Sequence, residues 1–559
     1  MTLTSRHYAL ITAFVLALFL PGRASLPPFD RDEPRYMEAS AQMLRTHDFV
    51  DVRFQDQPRY LQPAGIYWLE AAAVAATGTL EQRQVWAYRV PTLIAVIISV
   101  LLTARMGTVL FGLRAGLTGA ALLAVSVLMT AEGRLATIDS CLLAAILALQ
   151  TALLRAWSDR DADHPTGAGA AVLYWAALGA GLMLKGPVML IPALGTPLAL
   201  AIVERRPGGW SPSLWRTDWW RRLRPGWGVP LMLAIVLPWC IAIALVSHGA
   251  FFGKAVGTNF LGKVASGQQA HGLPPGYHLA VFAVAFWPGS LFAAMAIPFV
   301  WWRRRTAPVR FLLCWIVPHW VVFELIATKL PHYVLPTYPA IALLTAAAMT
   351  QVGGWRRPAP LWGRALLVLY GLVWLAVGIA ITTAGPVLLW ILQHELQPAA
   401  LLVPVLSLPL VLLATWLILR GQVQDAVLSA AGAAVIVYFG LFSVVLPELT
   451  TIWLSPRIAR AVDLVKPCPD SVLASASFSE PSLVFLVGQS TRLVNANGAA
   501  DFLFDNRACG LALIGARDEA SFRAGLARHD LSVRQLGTID GINYSNGRHL
   551  QLKLFKAGQ

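Results

Sequence analysis

About thirteen apolar stretches of roughly 20 residues recur up to position 446, near 8–26, 85–106, 113–131, 138–157, 167–184, 186–204, 228–246, 278–302, 309–327, 332–351, 362–383, 399–419 and 426–446, each long enough to cross a bilayer's hydrocarbon core. In that core backbone N–H and C=O groups find no water, so the segments must close their hydrogen bonds internally; continuous apolar runs of this length do so as helices. Composition excludes a soluble alternative: 57% of the 559 residues are hydrophobic, 13% are charged, and the mean hydropathy is +0.60. The chain reads as a polytopic all-α membrane protein. Arg6 and His7 precede the first stretch, but no small-residue cleavage site precedes the acidic segment that follows, so this stretch is expected to stay as an anchor.

Arginine sets the expected orientation. Arg205, Arg206, Arg216, Arg221, Arg222 and Arg224 crowd one connection, Arg303, Arg304, Arg305 and Arg310 another, and Arg356, Arg357 and Arg364 a third, all on one side of the proposed topology. By the positive-inside rule that side is cytoplasmic, as is the N-terminus. The net charge of +15 is then a topology signal, and no nucleic-acid partner is expected. Loops 27–84, 247–277 and 328–331 and the tail after 447 fall on the opposite side, the periplasm if the membrane is a bacterial inner membrane.

After Pro447 and Glu448 the apolar runs cease. The chain thus divides into a transmembrane domain, 1–450, and a periplasmic α/β domain, 463–559. Ser471 to Phe478, Thr491 to Asn495 and Cys509 to Ala516 read as strands, Asp518 to Ala527 as a helix, and Asn543 to Gly547 as the turn of a closing pair. Cys141, Cys240 and Cys314 lie in apolar spans as small hydrophobes. Cys468 and Cys509 lie where oxidation is permitted, and a disulfide between them is a testable expectation.

Polar groups collect on the periplasmic side. Thr328 to Pro336 sets Lys329, His332 and Tyr333 between two membrane-length apolar runs, and Pro331 stops a helix there. Lys185 lies between two spans in Leu-Lys-Gly-Pro, where Gly186 and Pro187 break the helix. A lysine at such a break serves either as a snorkelling end residue or as a compact point charge for a phosphate. Directly after the first span come Asp30, Arg31, Asp32, Glu33, Pro34, Arg35 and Tyr36. Helix capping accounts for Asp32 before Pro34. It does not require three carboxylates in four residues, whose repulsion must be offset by a cation or used by a reaction. Transfer chemistry has such a use, since a carboxylate can accept or orient a proton while Arg and Lys neutralise a phosphate leaving group.

The segments 30–38, 54–60 (Phe-Gln-Asp-Gln-Pro-Arg-Tyr), 63–69 (Pro-Ala-Gly-Ile-Tyr-Trp-Leu), 134–139, 184–187, 272–277 and 329–336 together resemble glycosyltransferase family 39, and within it the aminoarabinose transferases that modify lipid A and relatives of unassigned sugar specificity. The likeness runs through nearly the whole chain, with the motifs in order on one membrane face. It implies a GT-C fold with a cavity open to the periplasm and an undecaprenyl-phosphate sugar as donor. It also implies inversion at the anomeric carbon and lipid A or another envelope glycan or protein as acceptor. The family's catalytic acid falls on Asp32 with Glu33 beside it, and a second carboxylate matches Asp139. Lys185 and Lys329 are assigned to the donor phosphate, with His332, Tyr333, Arg59 and Tyr60 as further donors to the phosphate or sugar.

The chain departs from the aminoarabinose transferases at Tyr60-Leu61-Gln62-Pro63, where an acidic-basic pair normally precedes the proline. Sugar and acceptor therefore stay open in the sequence. No nucleotide fingerprint is visible. No cofactor is required by the pattern; Asp32, Glu33 and Asp139 would suit a divalent cation, although no His or Cys ligand spacing accompanies them. A transporter or flippase of a lipid-linked or anionic substrate is the competing class, since ionisable groups within spans also line transport pathways. Against it stand the one-sided polar residues and the lack of an evident internal repeat.

Overall fold

The computed structural model describes residues 2–158, 167–204, 218–262, 272–351 and 360–558. Arg205, Arg206, Arg216, Arg356 and Arg357 lie outside the described residues. Among the described residues nine helical stretches are long and apolar enough to cross a membrane. A tenth arises if Tyr277–Ala285 and Ser290–Arg303, bent by 119° at their break, form one span. Ser5–Phe19 and Leu113–Ala124 are apolar but shorter. The thirteen crossings read from hydropathy are thus not confirmed as a count, because hydropathy sees apolar runs and not where a helix bends or stops.

One continuous stretch, Ala168–Val203, turns back on itself. Tyr174 donates its hydroxyl to the Ala193 carbonyl at 2.9 Å. An unbroken helix would hold those residues almost 30 Å apart at about 1.5 Å per residue. The reversal occurs at Gly186, whose φ of 57° and ψ of −136° favour a residue without Cβ. Lys185 therefore stands at the apex of a helical hairpin. Gly65 begins helix Gly65–Thr77 against the same hairpin: a Cβ there would lie 2.6 Å from the Met183 carbonyl oxygen. Its missing side chain lets the first loop approach Lys185.

The first loop is largely structured. It carries helix Asp32–Thr46, the hairpin β1 (Arg53–Phe54) and β2 (Gln57–Pro58), and helix Gly65–Thr77. The C-terminal part is a mixed five-stranded sheet of β3 (Val472–Ala476), β4 (Arg492–Leu493), β5 (Gly510–Gly515), β6 (Val533–Asn543) and β7 (Arg548–Ala557), in the order β4-β3-β5-β7-β6. β3 runs parallel to β4 and β5; β7 is antiparallel to β5 and β6. Alternation puts Leu473, Leu511, Leu513 and Leu554 against helix Leu454–Val465 on one face. Ala474, Ala512, Ile514 and Phe555 meet helices Ala496–Asp505 and Glu519–Arg528 on the other. Helix Leu454–Val465 thus shares the sheet's core. Cys468 and Cys509 are joined as a disulfide, with their Cα atoms 5.4 Å apart.

Candidate functional site

The carboxylates of the first loop have different fates. Glu33 is buried, with about 1% of its side chain exposed, and Oε1 and Oε2 receive Arg89 Nε and Nη2 at 2.7 and 2.9 Å. The same carboxylate accepts the backbone N–H groups of Ala136 and Phe29, each at 2.7 Å. Arg89 spends its remaining donors on the carbonyls of Arg23, Leu26 and Pro27. Glu33 is fully engaged, and it ties the start of the loop to the segment leading into span Ile138–Ser158. Asp32, one residue earlier, is 72% exposed and has only a loose pairing with Arg35, at 3.9 Å. Asp32 is free to meet a substrate.

Deeper in, Lys185 Nζ lies 2.5 Å from Asp139 Oδ1. His332 Nε2 lies 3.9 Å from Asp139 Oδ2, and its Nδ1 lies 3.4 Å from Glu132 Oε1. Lys185 Nζ is also 5.6 Å from the centre of the Tyr333 ring. All of these except Glu132 border a cavity of about 300 Å³ whose wall includes Asp139, Lys185, His332, Tyr333, Leu61 and Gln62. Most of the remaining wall is apolar, with Trp239, Phe251 and Phe323 among its residues. Lys185 is the one Lys or Arg among the described lining residues. An apolar wall with a single cation at one end suits an amphiphile that carries an anionic group.

The structure brings together Asp139, Lys185, His332 and Tyr333, and adds Glu132, which sequence reasoning did not single out. Its signal was slight: one acid between an apolar turn and Gly133, with no motif spacing. The other expected residues stand apart from the cavity wall. Arg59 is buried behind it, donating Nε to the Tyr67 hydroxyl at 2.9 Å, with its guanidinium 5.0 Å from the Tyr36 ring centre. Tyr60 packs edge-on to Phe251 at 5.7 Å, and its carbonyl accepts Asn259 Nδ2 at 3.1 Å. Lys329 is buried, and its Nζ donates to the Ile326 carbonyl. The Asp32, Glu33 and Asp139 set does not gather round one point, since Glu33 is held by Arg89. Among the described residues the donors that do come within 4.8 Å of one another are Glu132, Asp139 and His332. They suit a divalent cation by type, but Asp139 already has the Lys185 ammonium as its counter-charge.

Glu38, on helix Asp32–Thr46, offers a test of the loop's rigidity. Burial pushes its carboxyl up to about 7, although Arg45 approaches to 3.0 Å. A carboxyl whose folded pKa exceeds its unfolded value contributes stability that is complete below about 4.5 and is lost as pH rises through 7. The melting temperature in detergent is expected to decline across that window, and Glu38→Gln to flatten the decline. Equal slopes in the two proteins would show that Glu38 titrates normally.

Membrane-length helices around an apolar cavity, with an α/β domain packed on the first loop, give a membrane protein of GT-C-like fold, and the resemblance read from the motifs holds. Residues 61–242 match the family described as dolichyl-phosphate-mannose-protein mannosyltransferase. An undecaprenyl phosphate-alpha-4-amino-4-deoxy-L-arabinose arabinosyl transferase of Pseudomonas aeruginosa is 29% identical over 331 residues, 57% of this chain and 55% of that protein. Its namesake from Edwardsiella ictaluri is 26% identical over 382 residues, 66% of this chain and 63% of its own length. The chain thus spans little more than half the length of the curated relatives it matches. The crystal structure of ArnT from Cupriavidus metallidurans bound to undecaprenyl phosphate superposes with a TM-score of 0.72 at 19% identity, covering 99% of this chain and 98% of that one. That likeness establishes the fold.

Proposed function

We propose that the protein is an inverting glycosyltransferase of the bacterial inner membrane that moves 4-amino-4-deoxy-arabinose from undecaprenyl phosphate to lipid A. The observation that carries this reading is the Lys185–Asp139 pair at the polar end of an otherwise apolar cavity. The cavity wall accommodates a prenyl chain and Lys185 the phosphate, with His332 and Tyr333 beside it. The names of the arabinosyl transferases and the undecaprenyl phosphate of the ArnT crystal structure support the same donor. In the reaction an acceptor oxygen attacks C1 of the sugar, the bond from C1 to the phosphate oxygen breaks, and the lipid phosphate leaves with the electron pair. Lys185 stabilises the departing charge, and the exposed Asp32 orients the acceptor on the other side of C1. A lipid A phosphate is already ionised, so Asp32 acts on it as an orienting group; a hydroxyl acceptor would make Asp32 the base. The sheet domain and the first loop face the periplasm, and the arginine-rich helix ends and the N-terminus face the cytoplasm.

The test is mass spectrometry of lipid A from a deletion strain complemented with wild type or Asp32→Asn. One sugar mass is expected to vanish in the deletion strain and return with wild type only. An unchanged lipid A and envelope-glycan profile, in cells that make the protein, would overturn the reading in favour of lipid transport.

A further inference from the structure

Two contacts between the sheet domain and the first loop lie next to the residues assigned above. Asp30, two positions before Asp32, accepts Ser482 N–H at 2.9 Å and Ser482 Oγ–H at 2.6 Å. The Asp30 backbone N–H donates to the Tyr544 hydroxyl at 2.7 Å. Ser482 Oγ in turn lies 2.6 Å from Ser455 Oγ, and Asn543 holds Glu480 at 2.8 Å beneath Arg31. The second contact grips the β1–β2 hairpin. Gln55, at a φ of 54°, donates Nε2 to the carbonyls of Gln489 and Thr491 at 2.8 and 2.6 Å. That hairpin runs directly into Arg59, Tyr60, Leu61 and Gln62, the last two of which line the cavity. Between the contacts Phe485, from helix Pro481–Val487, is buried in one apolar cluster with Met37, Ala41, Val74 and Tyr88 of the first loop and the start of the next span.

The two contacts differ in what they hold. Asp30 sets the entry of the helix whose first residue is Asp32, and thus the acceptor side of the reacting carbon. Gln55 holds the hairpin that leads into Leu61 and Gln62 of the cavity wall, and thus the donor side. Burial of Asp30 is costly, and its carboxyl is pushed up to about 6 even with Ser482 donating to it. A merely adhesive interface would gain more from an apolar pair at that position.

We propose that the sheet domain is a two-point positioning frame for the transfer reaction: Ser482 and Tyr544, through Asp30, align Asp32 with the acceptor, while the Gln489 and Thr491 carbonyls, through Gln55, hold the segment that carries Leu61 and Gln62 into the wall around the lipid-linked donor. These are positioning residues, acting through the loop rather than on the substrate. The proposal rests on the transferase reading, and it adds a function for the domain that the reaction itself does not demand.

The frame predicts opposite kinetic partitions. In full-length protein assayed with undecaprenyl-phosphate aminoarabinose and lipid A, Ser482→Ala combined with Tyr544→Phe is expected to lower kcat at least tenfold with the donor KM within twofold of wild type. Gln55→Ala is expected to raise the donor KM at least fivefold with a smaller change in kcat. Melting temperatures measured in the same detergent establish that each variant is folded, and binding of undecaprenyl phosphate alone reads the donor side, weakened in Gln55→Ala and unchanged in the double variant. Folded variants with wild-type constants overturn the proposal, as do variants whose kcat and KM change in parallel with lost melting temperature. Inactive wild type would overturn the transferase reading and the frame with it, whereas active wild type beside unaffected variants overturns the frame alone.

Discussion

Lys185→Met is expected to lower kcat/KM for the lipid-linked donor by about 10²–10³-fold, the loss typical of removing one preorganised charge-stabilising donor from a water-poor site. Two effects add in the same direction. The donor phosphate loses the only Lys or Arg among the described residues of the cavity wall. Asp139, whose side chain is 13% exposed, loses the cation 2.5 Å away and becomes an unpaired carboxylate next to the incoming phosphate. Steady-state transfer and direct binding of undecaprenyl phosphate measure these separately: affinity and turnover should both fall. Lys185→Arg should not restore them, because a planar fork cannot occupy the position of a compact ammonium at the hairpin apex. Near-normal turnover in Lys185→Met would remove the cavity from the reaction.

Glu33→Ala is expected to destabilise the fold by about 3–5 kcal/mol, because it leaves the Arg89 guanidinium buried without its counter-charge. The consequence should be a large drop in melting temperature and poor recovery from the membrane. Asp32→Asn, one residue away, removes an exposed carboxylate and should leave stability within about 0.5 kcal/mol of wild type while transfer falls. Adjacent acids thus separate into a structural tie and a free group. Similar melting curves for the two variants would contradict the assignment of Glu33 as a tie.

Much of this was legible in the sequence where the cause is local. Apolar runs are directly visible, and so are the strands of the C-terminal sheet, because Val472–Ala476 and Gly510–Gly515 are short apolar runs bounded by turn residues, as strands buried on both faces are. Lys185 was visible because a glycine and a proline after a lysine break a helix whatever surrounds it. The division of labour between Asp32 and Glu33 was not visible. Both are acids in one helical turn, and Arg89, which decides between them, stands 56 residues away from Glu33. The surroundings of Lys329 were hidden for the same reason: its motif announces a break in the chain, and only the fold shows its Nζ donating to a carbonyl three residues back. Glu132 acquires meaning only when His332 folds across to it. The break at Gly186 was legible as the boundary between stretches 167–184 and 186–204, whereas the 119° bend within 278–302 was not, because hydropathy does not report the direction of a helix.

The hydrogen bonds from Ser482 to Asp30 join residues 452 positions apart, and Phe485 fills a cluster built mainly from residues before position 90. A ribosome delivers the first loop to the membrane long before it delivers the segment that completes it. During that interval the loop can form its helices but not its final packing, and Asp30 has neither Ser482 nor Tyr544. A prematurely terminated chain would therefore insert as a bundle with an unfinished mouth, and full activity is expected only once synthesis has run to the sheet domain.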